Sequence, residues 1–222
     1  MATPERSKLY VEGTDDIHVV RHLLHRHGID ILYRHGIDTN KPENVPEIKE
    51  TNGIEKLLGR IKTDIQVSND RSVGFVLDAD DTPPDRWSAV RGRLREVGMN
   101  PPETMPDNGY VDDSEKYRAR VGVWLMPGNQ QAGALEEFLA DLVPEGNLLL
   151  ELAKSSTEEA RSKGATFPDS KRSKAVLHTW LAWQTDPGLP YGSAIKAHFF
   201  RHDSPVATAF ITWYRRLFPT ND

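Results

Sequence analysis

Residues 72–77 read SVGFVL, a run of strand length in which every residue is apolar or small. Successive side chains of a strand point to opposite faces, so such a run needs cover on both sides. A sheet covered on both sides is built from parallel strands joined by helices. The neighbouring sequence supplies both parts. Lys8–Val11 and Arg120–Met126 read as further short strands. Helical spacing of apolar residues runs through 15–27 (Ile17, Val20, Leu23, Leu24) and 53–65 (Ile54, Leu57, Leu58, Ile61), and 84–97 suits a helix with proline near its first turn. Thr14 or Asp15 is the expected cap of the first helix, and Gly28 its stop. Ile29–Tyr33 reads as a strand, 36–52 as a polar loop around Pro42 and Pro46, and 98–116 as a turn-rich connection. The expected fold is α/β: a parallel sheet of about four strands flanked by helices, over residues 1–145. After about residue 135 only helices are expected, at 135–143, 147–162, 170–185, 191–201 and 205–218. Residues 146–222 then form a helical C-terminal extension, with 164–170 (GATFPDS) as its link.

Two of the strands finish in acid. LYVEGTDD (9–16) places Glu12 at the end of the first strand, and FVLDADD (75–81) places Asp78 and Asp80 at the end of another. In parallel α/β sheets, functional groups collect beyond the carboxyl ends of the strands. If these two strands are neighbours, three carboxylates converge, and clustered anions raise one another's proton affinity. A hard divalent cation resolves this, since Mg²⁺ takes oxygen ligands and keeps waters that leave room for a phosphate. The residue types therefore point to metal-assisted phosphoryl chemistry. Gly13 is expected to supply the turn that aims Glu12. Asp15 and Asp16 have a plainer explanation, because a helix N-terminus favours acids without any metal.

The 222 residues include no cysteine, which excludes disulfides, thiolate metal sites and cysteine nucleophiles. No apolar run approaches the ~20 residues needed to span a bilayer. The N-terminus carries no apolar stretch of signal-peptide length, so no membrane association and a cytoplasmic location are expected. Charge is uneven: residues 1–150 hold 18 Lys/Arg against 26 Asp/Glu, whereas 151–222 hold 10 against 7. The tail also carries 10 of the 18 aromatic residues. Basic residues interleaved with aromatics serve nucleic-acid binding, or simply a small core with a solvated rim. His18, His22 and His25 fall on one helical face, read as a strip facing water rather than a zinc site.

The pair VEG-x-x-D and, 66 residues on, LDADD resembles the Toprim domain family, over roughly residues 6–145. The likeness is nearest to stand-alone bacterial Toprim-like proteins and to nuclease domains of the overcoming-lysogenization-defect type. VGVWLMPGN (121–129) followed by GALEEFL (133–139) fits the same pattern. The resemblance implies that Glu12, Asp78 and Asp80 bind Mg²⁺ or Mn²⁺ and serve catalysis, with Asp16 as a further contributor. Glu136 and Glu137 match the acids that hold a second ion in the nuclease branches. Such nucleases often set a lysine against the scissile phosphate. Lys171 and Lys174 share one face near the start of a tail helix, in SKRSKAVLHTWLAWQ. Lys174 is the preferred candidate for that role, and Lys171, Arg172 and Lys174 for nucleic-acid contact. The implied function is a divalent-metal-dependent nuclease acting on DNA or RNA. The alternative is a nucleic-acid-binding or scaffold module that keeps the fold without hydrolysis. No GxxxxGK[ST] loop is present, so any ATPase would be a separate partner chain. FVLDADDT also fits the D-x-D-x-T motif of haloacid-dehalogenase-like phosphatases. That motif normally stands on the first strand of its domain and needs a GDxxxD companion, which this sequence lacks.

Overall fold

The computed structural model describes residues 7–29 and 45–219. It contains a five-stranded sheet in the order β2-β1-β3-β5-β4. The strands are β1 (Lys8–Val11), β2 (Glu47–Glu50), β3 (Ser72–Asp78), β4 (Tyr110–Ser114) and β5 (Ala119–Met126). β2, β1, β3 and β5 run parallel, and β4 pairs antiparallel with β5 at one edge. Helices α1 (Thr14–Arg26) and α2 (Ile54–Gln66) lie between successive parallel strands, and α3 (Pro83–Glu96) leads from β3 to β4. The chain then continues as α4 (Leu135–Ala140), α5 (Leu148–Ser162), α6 (Arg172–Leu181), α7 (Tyr191–Lys196) and α8 (Pro205–Leu217).

The α/β class read from the sequence is the observed one, with two corrections. The polar segment 36–52 contains β2, and the turn-rich segment 98–116 contains β4. Both strands lack the apolar alternation that marks a buried strand, because each lies at an edge of the sheet: β2 reads EIKE and β4 reads YVDDS. Among the described residues the sheet therefore has five strands, against the expected four or so. The strand read at Ile29–Tyr33 falls, apart from Ile29, outside the described residues.

Strand alternation divides the core into two layers. Val73, Phe75 and Leu77 of β3 join Tyr10, Val121, Val123 and Leu125 beneath α2 and α3. Val76 of the same strand joins Leu9, Val11, Trp124 and Met126 on the other face, against α1 and the tail helices. So the C-terminal helices are not a separate appendage to the sheet; they complete the cover that SVGFVL requires. The closest approach is made by α8. Gly74 and Gly122 are register partners on β3 and β5. A Cβ on Gly74 would stand 2.7 Å from a Leu217 methyl, and one on Gly122 2.6 Å from the same carbon. The two glycines thus form a trough that the fully buried Leu217 fills. Trp213, one turn earlier, donates its indole N–H to the Tyr110 carbonyl at 3.0 Å, tying α8 to edge strand β4.

α7 packs against α1 at His18 and His22, where a Cβ on Gly192 would meet His18 Cβ at 2.7 Å and His22 Cδ2 at 2.9 Å. The histidine strip is therefore partly covered by the tail rather than wholly turned to water. Tyr10, inside β1, is packed: it is buried, stacks on Phe75 and donates its hydroxyl to Asp64 at 2.5 Å.

Candidate functional site

β1 and β3 are adjacent and parallel, so Glu12 and Asp78 emerge side by side at their carboxyl ends. The contact is direct: Glu12 Oε1 accepts the Asp78 backbone N–H at 2.9 Å. Asp16 approaches from the first turn of α1 and is buried. It also closes the helix start, since its carboxylate accepts the Gly13 N–H at 3.1 Å. Asp16, not Thr14 or Asp15, therefore does the capping, and Thr14 bonds Glu50 at 2.5 Å instead. Gly13 itself is extended, with φ −142°, a conformation open to any residue. The chain does bend at Glu12 and Gly13, as the sequence suggested, but in a conformation that does not require glycine.

Asp78 faces a second helix start. Its Oδ1 accepts the Leu135 N–H of α4 at 3.1 Å. This brings α4, with Glu136 and Glu137, to the same edge. The approach is fixed by a two-residue bridge, in which Asp80 and Gly133 exchange backbone hydrogen bonds of 2.8 Å each way. Gly133 has φ +137°, and a Cβ there would stand 2.7 Å from Glu137 Cγ, so glycine is required at this point.

The electrostatics follow from this crowding. Asp78 is pushed up to about 8, by burial first and then by the charges of Asp16, Glu12, Glu136 and Asp80. Asp16 is pushed up to about 7, again by burial and then by Glu12. Glu12 is raised by burial, against the hydrogen bond from the Asp78 amide and the charge of Arg86, which lower it. Three carboxyls at one strand edge thus resist ionisation in the bare protein.

Other sequence candidates take different positions. Asp80 is exposed, has φ +54°, and ion-pairs with Arg86 of α3, whose Nε also donates to the Asp78 carbonyl at 2.8 Å. Asp80 is thus turned toward a cation of the chain's own. Both Glu137 oxygens are engaged: Oε2 by the Ala134 N–H at 2.9 Å and Oε1 by the Ser173 hydroxyl. Lys174 of α6 reaches the site, with its Nζ 2.9 Å from Glu136 Oε1 and 3.6 Å from Asp15 Oδ2. Its Nζ also stands 5.7 Å from the centroid of the Tyr191 ring. Burial works against the charge on Lys174, but Glu136 and then Asp15 outweigh it and raise its pKa. Lys171 is exposed in a single 3-10 turn, and Arg172 pairs with Glu158 at 2.5 Å.

Arg86, Asp15, Ser173 and Tyr191 belong to the site but were not legible as such. Arg86 carried one weak signal, a cation in the first turn of the helix after the acidic strand end. Tyr191 carried none. It is buried, its hydroxyl has no hydrogen-bond partner among the described residues, and burial, then Glu136, pushes its pKa up.

Glu12, Asp16 and Asp78 present only oxygen donors, the set a hard divalent cation takes. Their resistance to ionisation is the electrostatic complement of such an ion. Among the described residues, no three Asp, Glu or His side chains are gathered around one point at ligating distance. Each instead gives an oxygen to a neighbouring amide, so ligation asks for side-chain rotation within the same cluster.

Fold and site together define an α/β protein with a buried carboxylate cluster at the carboxyl edge of a mostly parallel sheet. Residues 6–219 match the model of a family described as Protein of unknown function (DUF3226), and the chain belongs to that family. No curated protein and no solved structure matches it. Among the described residues no helix is long and apolar enough to cross a membrane.

Proposed function

We propose that the protein is a divalent-metal-dependent nuclease of Toprim type that cleaves nucleic-acid phosphodiesters in the cytoplasm. The observation that carries the reading is the Glu12–Asp78 contact across adjacent strands, with Asp16 beside it. It brings together the strand-end glutamate and the first aspartate of the DxD pair on which the Toprim resemblance rests. Glu12, Asp78 and Asp16 would hold Mg²⁺ or Mn²⁺, with Asp80 joining when it leaves Arg86. The bound ion would reverse the local field for a polyanion and supply an activated water. The chain's own contribution is orientation. The α4 N-terminus and the Asp78 amide hold the carboxylates in place, and the tail helices shield one side of the cluster from water. Lys174 brings positive charge to the edge where a phosphate would lie, and any ATPase would be a separate chain.

The Arg86–Asp80 ion pair favours a second reading, a nucleic-acid-binding module without hydrolysis, because it neutralises one of the acids with a fixed cation. Incubating the full chain with supercoiled DNA, single-stranded DNA and RNA in Mg²⁺, Mn²⁺ or EDTA separates the two. Metal-dependent cleavage of any of them supports the nuclease. Retarded mobility with intact substrate in both metals supports the module.

A further inference from the structure

The acids implied for a second ion are already satisfied. Glu136, with its side chain 13% exposed, holds the Lys174 ammonium at 2.9 Å. Asp15 stands on the other side of the same nitrogen at 3.6 Å. The Tyr191 ring lies 5.7 Å away as an aromatic floor, in the range of a cation–π contact. Glu137 has neither oxygen free, since Ala134 and Ser173 donate to them. Paired two-metal sites set their ions ~3.5–4 Å apart and need carboxylates open to both. Here the α4 carboxylates are taken, Glu136 by a lysine and Glu137 by a backbone amide and a hydroxyl.

We propose that Lys174 is a built-in cation standing where a second metal would bind, so that the site takes one divalent ion, on the Glu12–Asp16–Asp78 side. The inference rests on the metal-binding reading of that cluster and goes beyond it by fixing the number of ions. It also gives Ser173 and Tyr191 a task. Ser173 keeps Glu137 away from metal, and the Tyr191 ring keeps the lysine ammonium in position. Removing Lys174 leaves Glu136 and Asp15 as an uncompensated acidic pair beside the first ion, which is a second site.

Mn²⁺ titration of the full chain, with free ion counted by electron paramagnetic resonance, reads the stoichiometry without reference to activity. The wild type is expected to bind one ion per chain, Lys174→Met two, and Glu136→Gln one. A wild-type stoichiometry of two overturns the inference while leaving metal binding intact. A Lys174→Met chain that still binds one, with its fold checked by circular dichroism, overturns it as well. If Lys174→Met does not fold, Glu136→Gln decides: loss of the single ion makes Glu136 a ligand and defeats the proposal, whereas retention supports it. No ion bound by any of the three chains defeats the metal-binding reading itself, and the inference with it.

Discussion

Replacing Asp78 by asparagine should move stability and activity in opposite directions. The carboxyl of Asp78 is raised from 3.8 to about 8 by burial and by the acids around it. A group whose folded pKa lies above its unfolded one favours the folded state fully below the unfolded value. That contribution is lost as pH rises through the folded value. The bare protein should therefore lose stability between about pH 4 and pH 8. The shift sets a ceiling of about 6 kcal/mol for the cost of charging Asp78 alone. Water reaching the half-buried group screens part of it, so a gain of about 2–3 kcal/mol for Asp78→Asn at pH 8.5 is the working expectation. The substitution keeps the oxygen that accepts the Leu135 N–H, so no cap is lost. Urea unfolding in EDTA at pH 5 and pH 8.5 measures the difference directly. The wild type should weaken at the higher pH, and the variant should be flatter and more stable there. Mg²⁺ should restore the wild type and do little for the variant. An Asp78→Asn chain less stable than the wild type at pH 8.5, or a flat wild-type profile, would show that the cluster is not held under electrostatic strain.

Four further outcomes follow from contacts in the interior. Leu217→Ala empties the trough over Gly74 and Gly122 and should cost about 3–4 kcal/mol in urea unfolding. Gly122→Ala overpacks the same trough at a cost of about 1–3 kcal/mol, and the double variant should lose less than the sum of the two, as a double-mutant cycle would reveal. Tyr10→Phe removes the hydroxyl that donates to the buried Asp64 and should cost about 1.5–3 kcal/mol, measured by the same unfolding.

The sheet was legible where burial imposes a pattern. SVGFVL and the run Arg120–Met126 are apolar because both faces are covered, and they were read to within a residue or two. β2 and β4 were missed because edge strands carry charge on purpose, and EIKE or YVDDS is indistinguishable from loop by composition. Glu12 and Asp78 were legible because a carboxylate ending an apolar strand has few structural excuses. Which acid pairs with which cation was not. Arg86 to Asp80 spans six residues and depends on how α3 leaves the sheet, while Lys174 to Glu136 spans thirty-eight and depends on the packing of α6 against α4. The α8 trough was equally hidden, since Gly74 and Gly122 meet Leu217 only after the tail has folded back.

Plasmid nicking reads out whether the Glu12–Asp78 cluster cleaves nucleic acid. Wild-type protein is expected to convert supercoiled DNA to the open form, or to cut RNA, in Mg²⁺ or Mn²⁺ but not in EDTA. Glu12→Gln and Asp78→Asn, both folded, are expected to lose that activity. Intact DNA and RNA in both metals, or cutting that both variants retain, would mean that this cluster is not a nuclease site.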